Sequence, residues 1–594
     1  MSRRVARRRR AGGRPTIPGR PPRVGARGGA RAGVGPGAAR PAWSASGRGA
    51  APPLAPLSKR DGLRALLLWA LVIELFLLAL YVVAPIGGVT LSVSPLARVW
   101  PWLLAPARFV FGDTLVDASV PPLVGGAQLA LLATLLVGAS CAAAGAVWIA
   151  RRVAPERRER RWLWLALCVA AALGLTLTLL PALPSDDIFS YILYGRISAL
   201  HHANPLIATP ADFPRDPFLS LVYWQNTRSV YGPVWLLLSG GVSLLAEALG
   251  GGLAIYVALF KLLGLLAHLA NTALIWLTLG RLAPRRRLAG TLLYAWNPLC
   301  LLEFCASAHN DAVMLFFLLL GVYAIVRKQE ALGLLAIGLS IATKIVPIAL
   351  LPFYLLYIAR RLRAGRASWR AVALGLGWRV GLVALAALVV IAPFWAGAQT
   401  FGALLFSPPA QQLDNSLLEA ISWPLRWLAQ GALGMSVAQA RTVVETTLKL
   451  LALLAFALLW LWEMRRATSL EGTLSAWGWA LVWYAVIASG WFWPWYVTWA
   501  VAIAALAPWG RLQTVAQLLG GGALTLYGFL PLQAAGVYGF RSAVTFGPAL
   551  LYLLYLAWRA WRSGRASWDQ LRALSPRARQ AQRSRGLRGL LSGV

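Results

Sequence analysis

Residues 162–191 read WLWLALCVAAALGLTLTLLPALPSDDIFSY. The nineteen residues from Trp162 to Leu180 carry no charge, enough for a helix to cross most of the roughly 30 Å of bilayer hydrocarbon. A proline then ends the run, and two adjacent carboxylates, Asp186 and Asp187, follow at once. An apolar run that delivers paired acids to its own end reads as a membrane helix feeding a polar site.

Similar runs recur on both sides, near 65–85, 128–150, 233–249, 253–280, 288–304, 311–326, 331–358, 371–396, 442–462, 472–490, 495–508, 513–531 and 544–562. The 594 residues are 59% hydrophobic and only 13% charged, where a soluble domain carries about 25%. Backbone groups in lipid must satisfy one another, so the runs are expected to be helices, and nothing alternates as barrel strands do. The predicted fold is an all-α polytopic membrane protein of about 13–15 transmembrane or half-membrane helices with two sizeable outer loops.

The net charge of +37 suggests nucleic acid at first sight. Much of it lies in two tails: residues 1–60, which contain no acid and carry the Arg8-Arg9-Arg10 cluster, and residues 563–594. Basic tails of this kind hold termini in the cytoplasm and touch anionic lipid, and no nucleic-acid partner is expected. The first apolar run starts near Ala65, too late for a cleavable signal, and reads as an uncleaved anchor. The four cysteines all fall in apolar segments and give neither a disulfide framework nor metal-ligand spacing.

Placing Arg151, Arg152 and the basic stretch to Arg161 inside puts residues 185–232 and 397–441 outside. The chain divides into a tail (1–60), a transmembrane pair (61–161), a core (162–396), C-terminal helices (397–562) and a second tail (563–594). Expected localisation is the cell inner (plasma) membrane, both termini cytoplasmic and the site on the extracytoplasmic face. Two places resist this count. The stretch 233–287 holds one crossing too many. Residues 331–358 lie between Arg327-Lys328 and Arg360-Arg361, so they should fold back as two half-helices broken at Lys344–Pro347.

The chemistry-bearing residues gather at the outer ends of these runs. Asp186 and Asp187 suit proton acceptance from an attacking hydroxyl, with burial raising the pKa toward that task; equally, either could cap a helix starting near Ile188. The same loop holds His201-His202, a weak metal signal, and ends in Arg228 and Tyr231-Gly232-Pro233, which on the plainer reading is a turn into a helix. His309-Asn310-Asp311 could hold substrate or cap a helix, with Glu303 nearby. Lys344 sits too far from either flank to snorkel and could bind a phosphate or pair with Glu303 or Asp311. Arg541 is a second phosphate candidate. Trp495 and Tyr496, in the block Trp491–Tyr496, read as an interfacial belt or as a stacking surface for sugar. Glu74, Lys261, His268, Arg379 and Lys449 read at least as well as helix-pairing groups.

In this order the motifs resemble the GT-C superfamily of integral membrane glycosyltransferases, and most of all the bacterial polyprenyl-phosphomannose-dependent mannosyltransferases. The resemblance rests on Asp186-Asp187-Ile188-Phe189-Ser190-Tyr191 with Gly195, Asn204-Pro205, Tyr231-Gly232-Pro233, Trp296-Asn297-Pro298-Leu299, His309-Asn310-Asp311, Lys344 with Pro347, and Pro494-Trp495-Tyr496. It spans roughly residues 162–500 and implies a GT-C-like core. It also implies that Asp187, which fits the pattern Asp-aliphatic-aromatic-Ser-Tyr better than Asp186, is the base or orients the acceptor. Asp311 would support it, and Lys344 would bind the lipid phosphate. The doubled acid departs from the pattern and leaves the base open between Asp186 and Asp187. The function so implied moves a sugar, mannose on this resemblance, from a polyprenyl-phosphate donor to an extracytoplasmic glycan, lipid or protein acceptor. No cofactor is expected, though a divalent cation could serve. The competing reading, a transporter or flippase of a lipid-linked glycan, should place charged groups on both sides of a cavity, often in related halves; no internal repeat is visible.

Overall fold

The computed structural model describes residues 56–84, 92–112, 126–153, 160–402, 412–529 and 537–573. Most of both basic tails, and residues 403–411 of the second expected outer loop, lie outside the described residues. Among these residues the chain is helical, with one two-residue antiparallel ladder, Ser92–Val93 against Ala182–Leu183. In chain order the main helices are α1 Lys59–Val83, α2 Gly126–Arg152, α3 Arg161–Thr178, α4 Asp187–Ala199, α5 Pro233–Ala248, α6 Leu253–Leu282 and α7 Arg287–Ala295. They continue as α8 Asp311–Val326, α9 Glu330–Thr343, α10 Leu351–Ala364, α11 Trp369–Ile391, α12 Leu417–Leu433, α13 Val437–Glu463, α14 Leu470–Trp483, α15 Trp495–Leu506, α16 Arg511–Leu524 and α17 Val537–Ala573.

Among the described residues seven helices are long and apolar enough to cross a membrane, and the pair Pro284–Ala295 with Pro298–Ala306, bent by 49°, makes an eighth if it is one span. Four more, α5, α8, α9 and α15, are apolar but shorter. Of the two runs within 233–287 where one crossing was surplus, α5 has 16 residues and α6 has 30. The break expected at Lys344–Pro347 is present. Residue 344 is extended, and a short 3-10 turn, Val346–Leu350, carries Pro347 between α9 and α10, because proline cannot continue the hydrogen-bond ladder.

Polar groups inside the bundle are spent on helix–helix ties. Lys261 donates to the Thr178 carbonyl at 3.1 Å, the Asn271 amide donates to Tyr294 and to the Ala312 carbonyl at 2.9 Å each, and the His268 ring meets the Ala295 carbonyl at 3.0 Å. Thr176 donates to Glu74 and Arg379 to Glu330. Each bond satisfies groups that lipid would leave bare.

One helix departs from the reading of 397–441 as loop. Ser416 accepts from the Glu419 amide at 3.1 Å and starts α12, which runs through Pro424. The Ser-x-x-Glu spacing is a helix-start signal; the apolar run behind it was too short to register as a crossing.

Candidate active site

Three close backbone contacts build the site. At the first, α4 lies against α5 at Gly195, where a Cβ would come within 2.4 Å of the Ser239 carbonyl oxygen. At the second, α8 and α9 form a hairpin in which Gly321 and Gly333 face each other. A Cβ on either would meet the other's carbonyl oxygen at 2.8–2.9 Å, the small-residue contact that lets membrane helices approach closely. The hairpin sets the first residue of α8, Asp311, beside the end of α9, Lys344. At the third, a Cβ on Gly232 would lie 2.2 Å from the Ala342 carbonyl oxygen, and the Gly232 amide donates to the Thr343 carbonyl at 3.1 Å. Tyr231-Gly232-Pro233 is therefore a turn into α5, as the plainer reading held, and it also docks Tyr231 against the lysine segment.

Asp187 opens α4. The Ser185 hydroxyl accepts from its amide at 3.3 Å, and Asp186 occupies the cap position without a capping bond from its side chain. The two acids thus diverge: Asp186 is exposed and Asp187 half-buried. Asp187 faces Lys344, Asp311 and Tyr231, and desolvation raises its pKa to about 6, against the lowering effect of Lys344 and with a further rise from Asp311. Placement in the first turn of a helix favours its ionised form by the same dipole that favours anions there.

Asp311 is fully buried and accepts hydrogen bonds from two side chains. Lys344 donates to its two oxygens at 2.9 Å each, and the Trp499 indole N–H donates to Oδ1 at 2.5 Å. The Lys344 ammonium lies 5.7 Å and 5.3 Å from the Tyr496 and Trp499 ring centres, and its side chain keeps 19% exposure. An ammonium has three donors, and Asp311 takes two directions.

His309 packs beneath this group. Its ring lies 4.0 Å from that of Trp495, its Nδ1 is 3.4 Å from the Tyr191 hydroxyl, and burial pushes its pKa down to about 3, so it is neutral. Its Nε2 approaches Glu303 at 3.3 Å, while Tyr527 donates to the other Glu303 oxygen at 2.7 Å. The backbone turns here through a π-helical stretch, Leu302–Ala306, and a left-handed Ala308 at φ 57°. Asn310 is buried with neither side-chain polar atom hydrogen-bonded within the protein.

The structure therefore brings Asp187, Asp311, Lys344, His309, Asn310, Tyr231, Trp495 and Tyr496 into one neighbourhood. It does not bring Arg228 or Arg541 there. Arg228 is exposed on its loop. Arg541 is buried beside Glu419 at 3.5 Å and feels Asp414, as part of a separate polar cluster under α12. Asp186 stands at the rim. His201 belongs to a further network: it meets Asp216 at 2.8 Å, and Arg196 donates to Asp216, Glu247 and Tyr256, fixing the far end of α4. Among the described residues no three His, Cys, Asp or Glu side chains are grouped to hold a metal ion. Trp499 and Tyr191 escaped notice as site residues in the sequence. Helical spacing would have found Trp499, which lies three residues after Tyr496 and four after Trp495 on α15.

Residues 104–360 match a family described as alpha-(1->6)-mannopyranosyltransferase, N-terminal domain. The chain is 26% identical over 373 residues to alpha-(1->6)-mannopyranosyltransferase A of Mycobacterium tuberculosis (strain ATCC 25618 / H37Rv), covering 61% of this chain and 69% of the relative. It is 30% identical over 240 residues to alpha-(1->6)-mannopyranosyltransferase B of Corynebacterium glutamicum, covering 36% of this chain and 37% of that one. The family match takes in Asp187, Asp311 and Lys344 together and ends before α11. Through that stretch the chain is similar to the alpha-(1->6)-mannopyranosyltransferase family.

Proposed function

We propose that the protein transfers mannose from a polyprenyl-phosphate carrier to a glycan or lipid acceptor on the extracytoplasmic face, with both termini in the cytoplasm and Asp187 as the base. The observation that carries this reading is the half-buried Asp187 carboxyl, raised to about 6, beside a lysine already aligned by Asp311 and Trp499. A carboxylate of that pKa is ionised at neutral pH and still basic enough to take a proton in the transition state. The acceptor oxygen attacks the anomeric carbon as its proton passes to Asp187. The bond from that carbon to the phosphate oxygen breaks, and the polyprenyl phosphate leaves with the electron pair.

Charge develops on the leaving phosphate, and the third donor direction of Lys344 is the nearest cationic help. Asp311 is the positioning residue for Lys344. The Asn310 amide, buried without a partner, suits a sugar hydroxyl. Attack and departure on opposite faces of the sugar invert the anomeric carbon.

The test is transfer of labelled mannose from a mannosyl polyprenyl phosphate to an oligomannoside by the full chain in proteoliposomes. Asp187→Asn should abolish it while the protein stays folded. Full activity in both Asp187→Asn and Asp311→Asn sinks the assignment.

A further inference from the structure

The aromatic residues between α14 and α15 do more than mark an interface. Trp493 and Trp495 stack face to face at 5.1 Å with their planes 9° apart, and Trp495 leans on His309 at 4.0 Å. In the other direction Trp491 lies 5.9 Å from Trp493, and Trp224, from the loop that follows α4, lies 6.1 Å from Trp491. Four consecutive ring pairs thus run from His309 to the loop before α5, and Trp224, Trp491 and Trp493 are each partly exposed. A membrane belt needs its rings spread around the perimeter at headgroup depth. Here they form a single file that joins two separate segments and ends at the reacting groups.

A carboxylate accompanies the file. The Asp414 amide donates to the Gly490 carbonyl at 2.8 Å and the Phe492 amide donates to the Asp414 carbonyl at 2.9 Å, which sets Asp414 beside Trp491. Its side chain is half-buried, with the Asn415 amide on one oxygen at 3.2 Å. Flat aromatic faces with an acceptor oxygen beside them match a hexose, which presents axial C–H groups on one face and hydroxyls at its edge. With ring centres 5.1–6.1 Å apart, the row of four tryptophans is longer than one sugar ring.

We propose that Trp224, Trp491 and Trp493, with Asp414 at their side, form an extended binding platform for the acceptor glycan, holding the sugar units that lie behind the one being mannosylated. The proposal rests on the mannosyl-transfer reading of the site and names its acceptor as a glycan of several units. Trp495 and His309 mark the inner end, where the acceptor's terminal hydroxyl meets Asp187.

The test uses the full chain in nanodiscs with mannose and with an alpha-(1->6)-linked mannotetraose, measured by tryptophan fluorescence titration and by transfer kinetics. The wild type should bind the tetramer more tightly than mannose. Trp491→Ala and Trp224→Ala should each weaken that length preference by roughly three- to tenfold in Kd and in KM, the worth of one aromatic contact, and Trp491→Phe should restore it. Asp187→Asn should keep the length preference in binding while losing transfer. A wild type that binds both sugars alike overturns the platform, as does a Trp491→Ala variant that weakens mannose and tetramer by the same factor, the result expected of a lipid-facing belt. Length-dependent binding without any transfer by the wild type would instead sink the catalytic reading and leave the platform standing.

Discussion

Replacing Asp187 by Asn should remove activity and at the same time make the protein more stable at neutral pH. The Asp187 carboxyl moves from 3.8 unfolded to about 6 in the fold, with burial as the main cause. A carboxyl whose folded pKa is raised binds protons better folded than unfolded. Its contribution is therefore most favourable at pH below 3.8 and is lost as pH rises through about 6. Above that range the ionised side chain costs up to about 3 kcal/mol, at roughly 1.4 kcal/mol per pKa unit. Partial exposure screens part of it, so about 1–2 kcal/mol is the expected gain. Asparagine has the same shape and no charge to desolvate. Thermal unfolding in detergent, followed by intrinsic fluorescence at about pH 8 and about pH 4, should show the variant melting above wild type at the higher pH and level with it at the lower. Transfer should be absent at both. An Asp187→Asn protein that melts below wild type at pH 8 refutes the account, because the carboxylate would then be a structural partner held by Lys344 rather than a strained catalytic group.

The same pKa sets a pH profile: kcat/KM should fall about tenfold per unit below pH 6 and level off above it, since the base must be ionised. A rate that rises as pH drops would assign the group as an acid. Lys344→Met leaves Asp311 buried without its cation and should cost about 3–5 kcal/mol, read as a lowered melting temperature. Adding Asp311→Asn to Lys344→Met should recover most of that loss without recovering transfer. Gly232→Val places a side chain where a Cβ already lies 2.2 Å from the Ala342 carbonyl oxygen. It should destabilise by about 1–3 kcal/mol and lower kcat more than a substitution at the exposed Arg228.

Much of this was legible in the sequence because membrane insertion leaves few options. The apolar runs had to be helices, Pro347 had to break one, and a lysine at that break had to find a partner. Asp311 as that partner was one of two candidates that spacing allowed. Pairing could not be chosen from the chain alone, because it depends on Gly321 and Gly333 bringing α8 and α9 into backbone contact. The separation of Asp186 from Asp187 was equally hidden. Adjacent residues at a helix start differ in environment only once the neighbouring turn, here Tyr231-Gly232, is in place. Arg541 looked suited to phosphate because its acidic partner, Glu419, lay on a helix that hydropathy does not reveal. Tryptophans in a membrane protein default to the lipid interface, and only the ring-to-ring distances show Trp491, Trp493 and Trp495 running inward.

The docking of Gly232 against the Ala342 and Thr343 carbonyls leaves no layer of side chains between two main chains. Packed helices slide on one another by letting side chains change rotamers, and here there is nothing to slide on. The entry to α5 and the end of α9 consequently move as one body, carrying Tyr231 and Lys344 with them, and the hairpin at Gly321 and Gly333 adds Asp311 to the same body. The spacing of Tyr231, Lys344 and Asp311 is therefore set when the chain folds. The opposite wall is tied to that body by one hydrogen bond, from the Trp499 indole to Asp311, and otherwise by ring contacts of Trp495 and Tyr496.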